Sequence, residues 1–417
     1  MTLTSDINTT STALNNIKTS INIKGGSASG SIINYPDAIT NLPIPTGINR
    51  EVVNGKYQAP TTNFTFSLPS GATDLGQCAM YYAFNGCTGL TSVDLSSLTT
   101  LSGSQAMYYA FNGCTGLTSV DLSSLTTVSG NSAMYGAFYN CTGLTGTLDL
   151  SSLTTVSGTD AMDNAFYNCT GLTNVDLSSL TTISGDVRSF GYAFQGCTGL
   201  TSVDLSSLTT VQYMGMLGTF YGCTGLKSIS FPSLITVGKN GGRNFESAFS
   251  GCTGLTSVDL SNLTEASGET TFGWAFKDCV NLTSVNFNSL QTIGTNSSSS
   301  NSKQFASCFQ NCNALTTLAF PNLEKIYCNG NSTTSNGTFA NNNKVQKMYF
   351  PKLDTITYSS VASASNQEAC KNVFYGCSAL TELHFGAANQ ASIEASPGYS
   401  TAWGRGAGNV TIYFDLV

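Results

Sequence analysis

The string AFNGCTGLTSVDLSSLTT is written again and again down this chain, with variations, and that repetition constrains the fold more than any other feature. Taking the Phe of each copy as origin, the copies begin at Phe84, Phe111, Phe138, Phe166, Phe194, Phe220, Phe249, Phe276, Phe309, Phe339 and Phe374. Intervals run from 26 residues (Phe194 to Phe220) to 35 (Phe339 to Phe374). A tandem period of this size with drifting loops marks a stacked solenoid, in which each unit packs on its neighbours along one axis. The 417 residues then form one long array rather than two or three globular domains.

Charged residues make up only 9% of the chain, against roughly 25% in ordinary soluble proteins. Ser, Thr, Asn and Gly take their place, so the surface is polar and nearly uncharged. A net charge of −7 with 16 Lys and Arg leaves no basic stripe for a phosphate backbone, and no nucleic-acid partner is expected. No apolar run approaches the ~20 residues that span a bilayer, and Met1 is followed by Thr, Ser and Asp rather than a basic and then apolar signal sequence. Membrane insertion and an export signal are therefore not expected.

Ten of the 14 cysteines lie three residues after a repeat Phe: Cys87, Cys114, Cys141, Cys169, Cys197, Cys223, Cys252, Cys279, Cys312 and Cys377. They are one structural position repeated. Equivalent atoms in stacked turns lie ~4.8 Å apart with parallel side-chain vectors, unlike the convergent geometry of a disulfide. A ladder of buried free thiols is the expectation. A metal site or Cys nucleophile would need more than the single His of this chain, so neither a metal nor any other cofactor is expected. Cys78, Cys308, Cys328 and Cys370 fall off the ladder, and the sequence leaves their pairing open.

Within one copy, Leu90, Val93 and Leu95 follow the pattern of a short strand buried on one side. Upstream, Met80, Phe84 and Cys87 are spaced i, i+4, i+7, which predicts one face of a short helix. Two residues after each Phe stand Gly86, Gly113, Asn140, Asn168, Gly196, Gly222, Gly251, Asp278, Asn311, Asn341 and Gly376. All are Gly, Asn or Asp, residues that tolerate positive φ, so this column is expected to be left-handed and to end the helix. The predicted fold is an α/β repeat solenoid, a leucine-rich-repeat-like right-handed superhelix with a parallel sheet on one side and short helices or turns on the other.

The patterns AFxxC and L-x-x-[VI]-x-[LF], with FPSL at 231–234, FPNL at 320–323 and FPKL at 350–353, resemble the BspA-like class of leucine-rich repeats over residues 66 to 386. The resemblance implies parallel strands stacked into a curved or twisted sheet, in proteins that serve as surface-exposed adhesins or recognition modules rather than enzymes. The array itself is placed at 63–386, about 11 repeats.

Residues 1–62 lack the repeat. Ile7, Leu14, Ile17 and Ile21 share a helical face, and Tyr35-Pro36-Asp37-Ala38-Ile39 with Leu42 reads as a second short helix. The stretch LNNIKTSINIKGGSASGSIINYPDAITNLP resembles a segment near the front of bacteriophage tail and appendage proteins. This region is expected to attach the protein to other virion or surface proteins, or to cap the first open turn. Residues 387–417 are expected to form a C-terminal cap, in which the alternating stretch 409–415 covers the last edge.

Each strand carries an outward position, filled by Asp94, Asp121, Asp149, Asp176, Asp204 and Asp259. This carboxylate column is expected to be a solvated face, the alternative being a Ca²⁺-binding strip. A glycosidase pair is disfavoured because near-identical copies offer no unlike environments for an acid and a base. His384 replaces Asp in the last repeat and is expected to be an exposed surface residue. Tyr82, Tyr109, Tyr192 and Trp274 share a further column that reads as loop packing. The inter-repeat segments lengthen toward the C-terminus, and the outward strand positions diversify there. The candidate ligand-binding residues are therefore Lys347, Tyr349, Glu382 and His384.

Together these features predict a non-enzymatic recognition or adhesion protein that binds a protein or glycan on a cell surface, with homo-oligomerisation possible. The leading expectation is a fibre or tail-appendage component on the virion exterior. Assembly in the cytosol would fit both the missing signal sequence and reduced thiols. A bacterial cell-surface adhesin of the same repeat class is the alternative, and a polysaccharide hydrolase the least favoured.

Overall fold

The computed structural model describes residues 52–53, 56–57, 63–68, 71–238, 242–268, 270–294, 304–327, 338–357, 372–404 and 409–417. Cys328, Cys370, the two N-terminal helices expected within 1–62 and most of the lengthened later segments lie outside them.

The array is a parallel β-solenoid of about 11 turns. Every turn contributes a strand to a first row, such as Leu90–Asp94, Leu172–Asp176 and Lys347–Phe350, and almost every turn a shorter strand to a second, such as Thr100–Leu101 and Thr182–Ile183. Neighbours are parallel and in register, so identical positions form columns: Val93 pairs with Val120, Val175 with Val203, Thr100 with Thr127. Leu90, Val93 and Leu95 point inward and are buried, as the alternation predicts.

The third side of each turn departs from expectation, because the helix predicted from Met80, Phe84 and Cys87 does not form. Cys78, Tyr82 and Gly86, four residues apart, all have positive φ (54°, 51° and 73°). The N–H groups of Tyr81, Ala83, Asn85 and Cys87 reach the carbonyl three residues back, at 3.0–3.3 Å. Those of Met80, Tyr82, Phe84 and Gly86 donate instead to Ala106, Tyr108, Ala110 and Asn112 of the next turn, at 2.7–2.9 Å. An α-helix would keep its N–H bonds within one segment, from i to i−4. Here consecutive tight turns alternate local and cross-turn bonds, and their four-residue period produces the same apolar spacing as a helix. The α-helix among the described residues is Gln390–Glu394, beyond the array.

The core is a set of columns. From Phe84 to Phe309 the repeat rings stack with centroids 5.0–5.8 Å apart, each full burial contributing roughly 1.5–3 kcal/mol. The stack then slips, since Phe339 lies over Phe305 (5.5 Å) and carries Phe374 in turn (5.8 Å). At the slip Asn342 stands where other copies have Cys. Its buried carboxamide accepts from the Phe309 N–H (2.8 Å) and donates to the Phe305 and Phe339 carbonyls (3.2 and 2.7 Å). One side chain thus supplies the bonds that the shortened ladder lacks.

All ladder cysteines are free and buried. From Cys114 to Cys377 each thiol donates to the carbonyl of the Phe in the preceding turn, at 3.0–3.2 Å. Cys78 and Cys308 are free as well.

Candidate recognition surface

The carboxylate column has a structural duty that the sequence reading missed. In Asp94, Asp121, Asp149, Asp176, Asp204 and Asp259 one oxygen accepts the backbone N–H two residues on, from Ser96, Ser123, Ser151, Ser178, Ser206 and Ser261, at 2.9–3.0 Å. Each bond closes the turn that leaves the strand, the self-capping geometry typical of Asp and Asn. The Ser96 and Ser151 bonds hold Asp94 and Asp149 below the usual carboxylate range. Asn286 does the same for Asn288 (3.1 Å). The carboxylates stack in register, Asp94 on Asp121 and Asp149 on Asp176 and Asp204. Among the described residues no three acidic, His or Cys side chains are grouped to hold a metal ion.

In three turns the Asp and the donor it serves are lost together. Ser230, Ala319 and Tyr349 occupy the outward position in three turns, and the residue two further on is Pro232, Pro321 or Pro351. Proline has no N–H, so no acceptor is required. The exchange releases the outward position from turn closure and leaves its side chain free to vary. The signal was present in the sequence as the alternation of D-L-S with x-F-P.

The outward positions that differ most from Asp meet at the C-terminal end, where Ala319 and Tyr349 are joined by His384 and Tyr413. Ala319 pairs with Tyr349, Tyr349 with His384 and His384 with Tyr413, while Lys347 pairs with Glu382. Register therefore brings together all four predicted residues, Lys347, Tyr349, Glu382 and His384, and adds Tyr413 and Asp415 from the strand Thr411–Leu416. The Lys347 ammonium lies 2.9 Å from Glu382, which raises the lysine pKa and lowers that of the glutamate. His384 is not the exposed residue expected. It is 8% exposed, with its ring between those of Tyr349 (4.5 Å) and Tyr413 (4.6 Å), because in-register neighbours cover both faces. Its Nδ1 is 3.0 Å from Asp415 and its Nε2 3.1 Å from Glu382.

On the same strand face lies a groove of about 440 Å³ lined by Ser228, Ser230, Ser257, Asp259, Asn286 and Ala319, among others. The turn side carries different features. The Tyr109 and Tyr192 rings lie against Gly136 and Gly218 of the following turns, which is a packing role. Asp163 is fully buried there beside Arg188 (3.5 Å), and burial outweighs the guanidinium, pushing the carboxyl up to about 7.

The family model described as BspA type leucine rich repeat region (6 copies) matches residues 57–184, 137–241, 163–304 and 245–366. Similar solved structures include a leucine rich repeat protein of T. pallidum, 23% identical over 53% of this chain and 78% of that one, with a TM-score of 0.30. A leucine-rich repeat protein from Bacteroides ovatus is 19% identical over 77% and 86%, TM-score 0.27. A leucine rich cell surface protein from Faecalibacterium prausnitzii is 16% identical over 79% and 89%, TM-score 0.29. Among curated proteins none matches the chain.

Proposed function

Because the chain belongs to the BspA-type leucine-rich repeat family, we propose that it is a rigid recognition scaffold that binds a cell-surface partner without altering it, through the strand face of its C-terminal half. The observation that carries this reading is the exchange of Asp for Ser230, Ala319 and Tyr349 together with Pro232, Pro321 and Pro351. Turn closure fixes the outward residue in the earlier turns and frees it in these. Acid–base hydrolysis needs two groups tuned apart by unlike surroundings, whereas the Asp column repeats one environment.

The partner is a protein or glycan displayed on a cell. The protein itself sits at an exterior surface, either on a phage particle, attached through residues 1–62, or on a bacterial cell as an adhesin. The repeat family supports the bacterial reading as well as the phage one, which draws on the sequence of 1–62 alone. Immunogold labelling of producer cells and released particles separates the two.

Labelled full-length protein should decorate target cells. Combined substitution of Lys347, Tyr349, Glu382 and His384 by Ala should abolish that decoration in a protein that stays folded, with its unfolding temperature lowered by the loss of the stacked His384 ring, while Asp121→Asn and Asp149→Asn should leave it intact. Loss of binding in the Asp variants would move the surface to the N-terminal strip, and reducing ends released from a polysaccharide panel would end the non-enzymatic reading.

A further inference from the structure

The geometry points to a neutral glycan chain as the ligand, lying in the groove between Ser228 and Ala319 with one sugar ring against the open face of Tyr349. This rests on the strand-face reading above and names the chemistry of its partner.

The floor comes first. Ser228 and Ser230, Ser257 and Asp259, and Ser284 and Asn286 are outward pairs on three hydrogen-bonded strands in register, with Ala319 on the next. They present hydroxyls, an amide and one carboxylate, and no cation is among the residues lining the groove. Ile229, Val258, Val285 and Phe287 line the groove beneath these groups, with Ile229, Val258 and Phe287 buried in the core. Protein partners are held by aromatic or Arg anchors seated in desolvated pockets, and this floor, with polar tips over buried apolar side chains, presents no such anchor. It offers instead donors and acceptors repeated every ~4.8 Å along the stack, a spacing comparable with one pyranose unit, so that successive sugars meet successive strands.

The wall supplies the second element. Tyr349, His384 and Tyr413 form a stack along the same direction, with ring planes 20° and 13° apart. One face of Tyr349 is covered by His384. The other looks toward Ala319, its register partner, which has no side chain beyond Cβ to cover it. Aromatic rings combine an apolar face with a polar rim, and an uncovered face beside a hydroxyl-lined groove suits the C–H face of a sugar. The bonds among Lys347, Glu382, His384 and Asp415 hold the stack from behind. A groove of this volume is in the usual range for small-molecule sites, enough for a short oligosaccharide segment of a longer chain.

Affinity electrophoresis and titration calorimetry of the full chain against a β-glucan, a mannan and a xylan test this. At least one should retard the protein. Tyr349→Ala and Ser284→Ala should each weaken that binding tenfold or more, Tyr349→Phe should retain it within about threefold, and Ala319→Trp should block it, all in proteins that remain folded by thermal unfolding. Retardation by none of the three polysaccharides would overturn the assignment. Target cells treated with periodate, which destroys glycans and spares protein, separate the two readings. Binding that survives periodate but is lost in Ala319→Trp would overturn the glycan and keep the strand face, and binding to untreated cells that survives Ala319→Trp would overturn both.

Discussion

Gly196 has a φ of +75°, and a Cβ added there would meet nothing nearer than the Asn168 side-chain oxygen at 3.5 Å. The strain in Gly196→Val would therefore be that of the backbone alone, roughly 1–2 kcal/mol for a β-branched residue in the left-handed region. Gly196→Asn should cost a fraction of that, since Asn140 and Asn168 hold the same conformation in the two preceding turns (57° and 58°). Urea unfolding of the two variants checks the difference, and equal midpoints would contradict a left-handed turn. All eleven residues of this column have positive φ, which was legible because each is Gly, Asn or Asp. The columns through Tyr82 and Gln105 are equally left-handed and were not legible, because Tyr and Gln carry no such signal. Cross-turn bonds such as Tyr82 N–H to Tyr108 O hold them there, and those exist only once the turns are stacked. The same limit applies to the thiols: their burial could be read from the repeat, but not their bonds to the Phe carbonyls of the turn before.

The strand and the turn that closes it are coupled as one element through Asp121 and Ser123. Asp121→Ala removes the acceptor and should destabilise the array by about 1 kcal/mol. Ser123→Pro alone removes the donor and leaves the carboxylate without its partner. The double variant recreates the arrangement of Ala319 with Pro321, so its cost should fall below the sum of the single costs by about 1 kcal/mol. A double-mutant cycle by urea unfolding measures this, and strict additivity would show that the Asp–Pro exchange along the repeats has no energetic basis. Strands were legible because their in-out alternation has a period of two. The expected helices failed because a four-residue train of turns buries i and i+4 just as a helix does. What decides between them is where alternate N–H groups point, and that is settled by the neighbouring turn.

At the scale of the whole molecule the number of turns followed from counting Phe residues, while the slip at Phe339 did not, since it rests on the three bonds of the Asn342 side chain. Stacking makes stability roughly a sum over turns, so a small effect repeated in each becomes large. The thiol ladder is such a case. Burial pushes Cys141, Cys197, Cys252 and Cys312 up to about 12, and Cys169, Cys223 and Cys279 well above the ordinary thiol value. Below about pH 8.5 both folded and unfolded chains keep these protons, and the thiols confer no pH dependence. Above it the unfolded chain sheds protons that the folded one retains, so stability falls as pH rises, by about 1.4 kcal/mol per pH unit for each such thiol until its folded pKa is reached. Half-buried tyrosines such as Tyr108, pushed up to about 12, act in the same direction. Replacing Cys141, Cys197 and Cys252 by Ala isolates the thiol share. Unfolding free energies from urea titration under reductant at pH 7.5, 9 and 9.5 should fall steeply for the parent chain, and above about pH 8.5 for the variant by roughly 4 kcal/mol less per pH unit. Parallel slopes would mean that the ladder ionises in place, which a buried and stacked column of thiols does not allow.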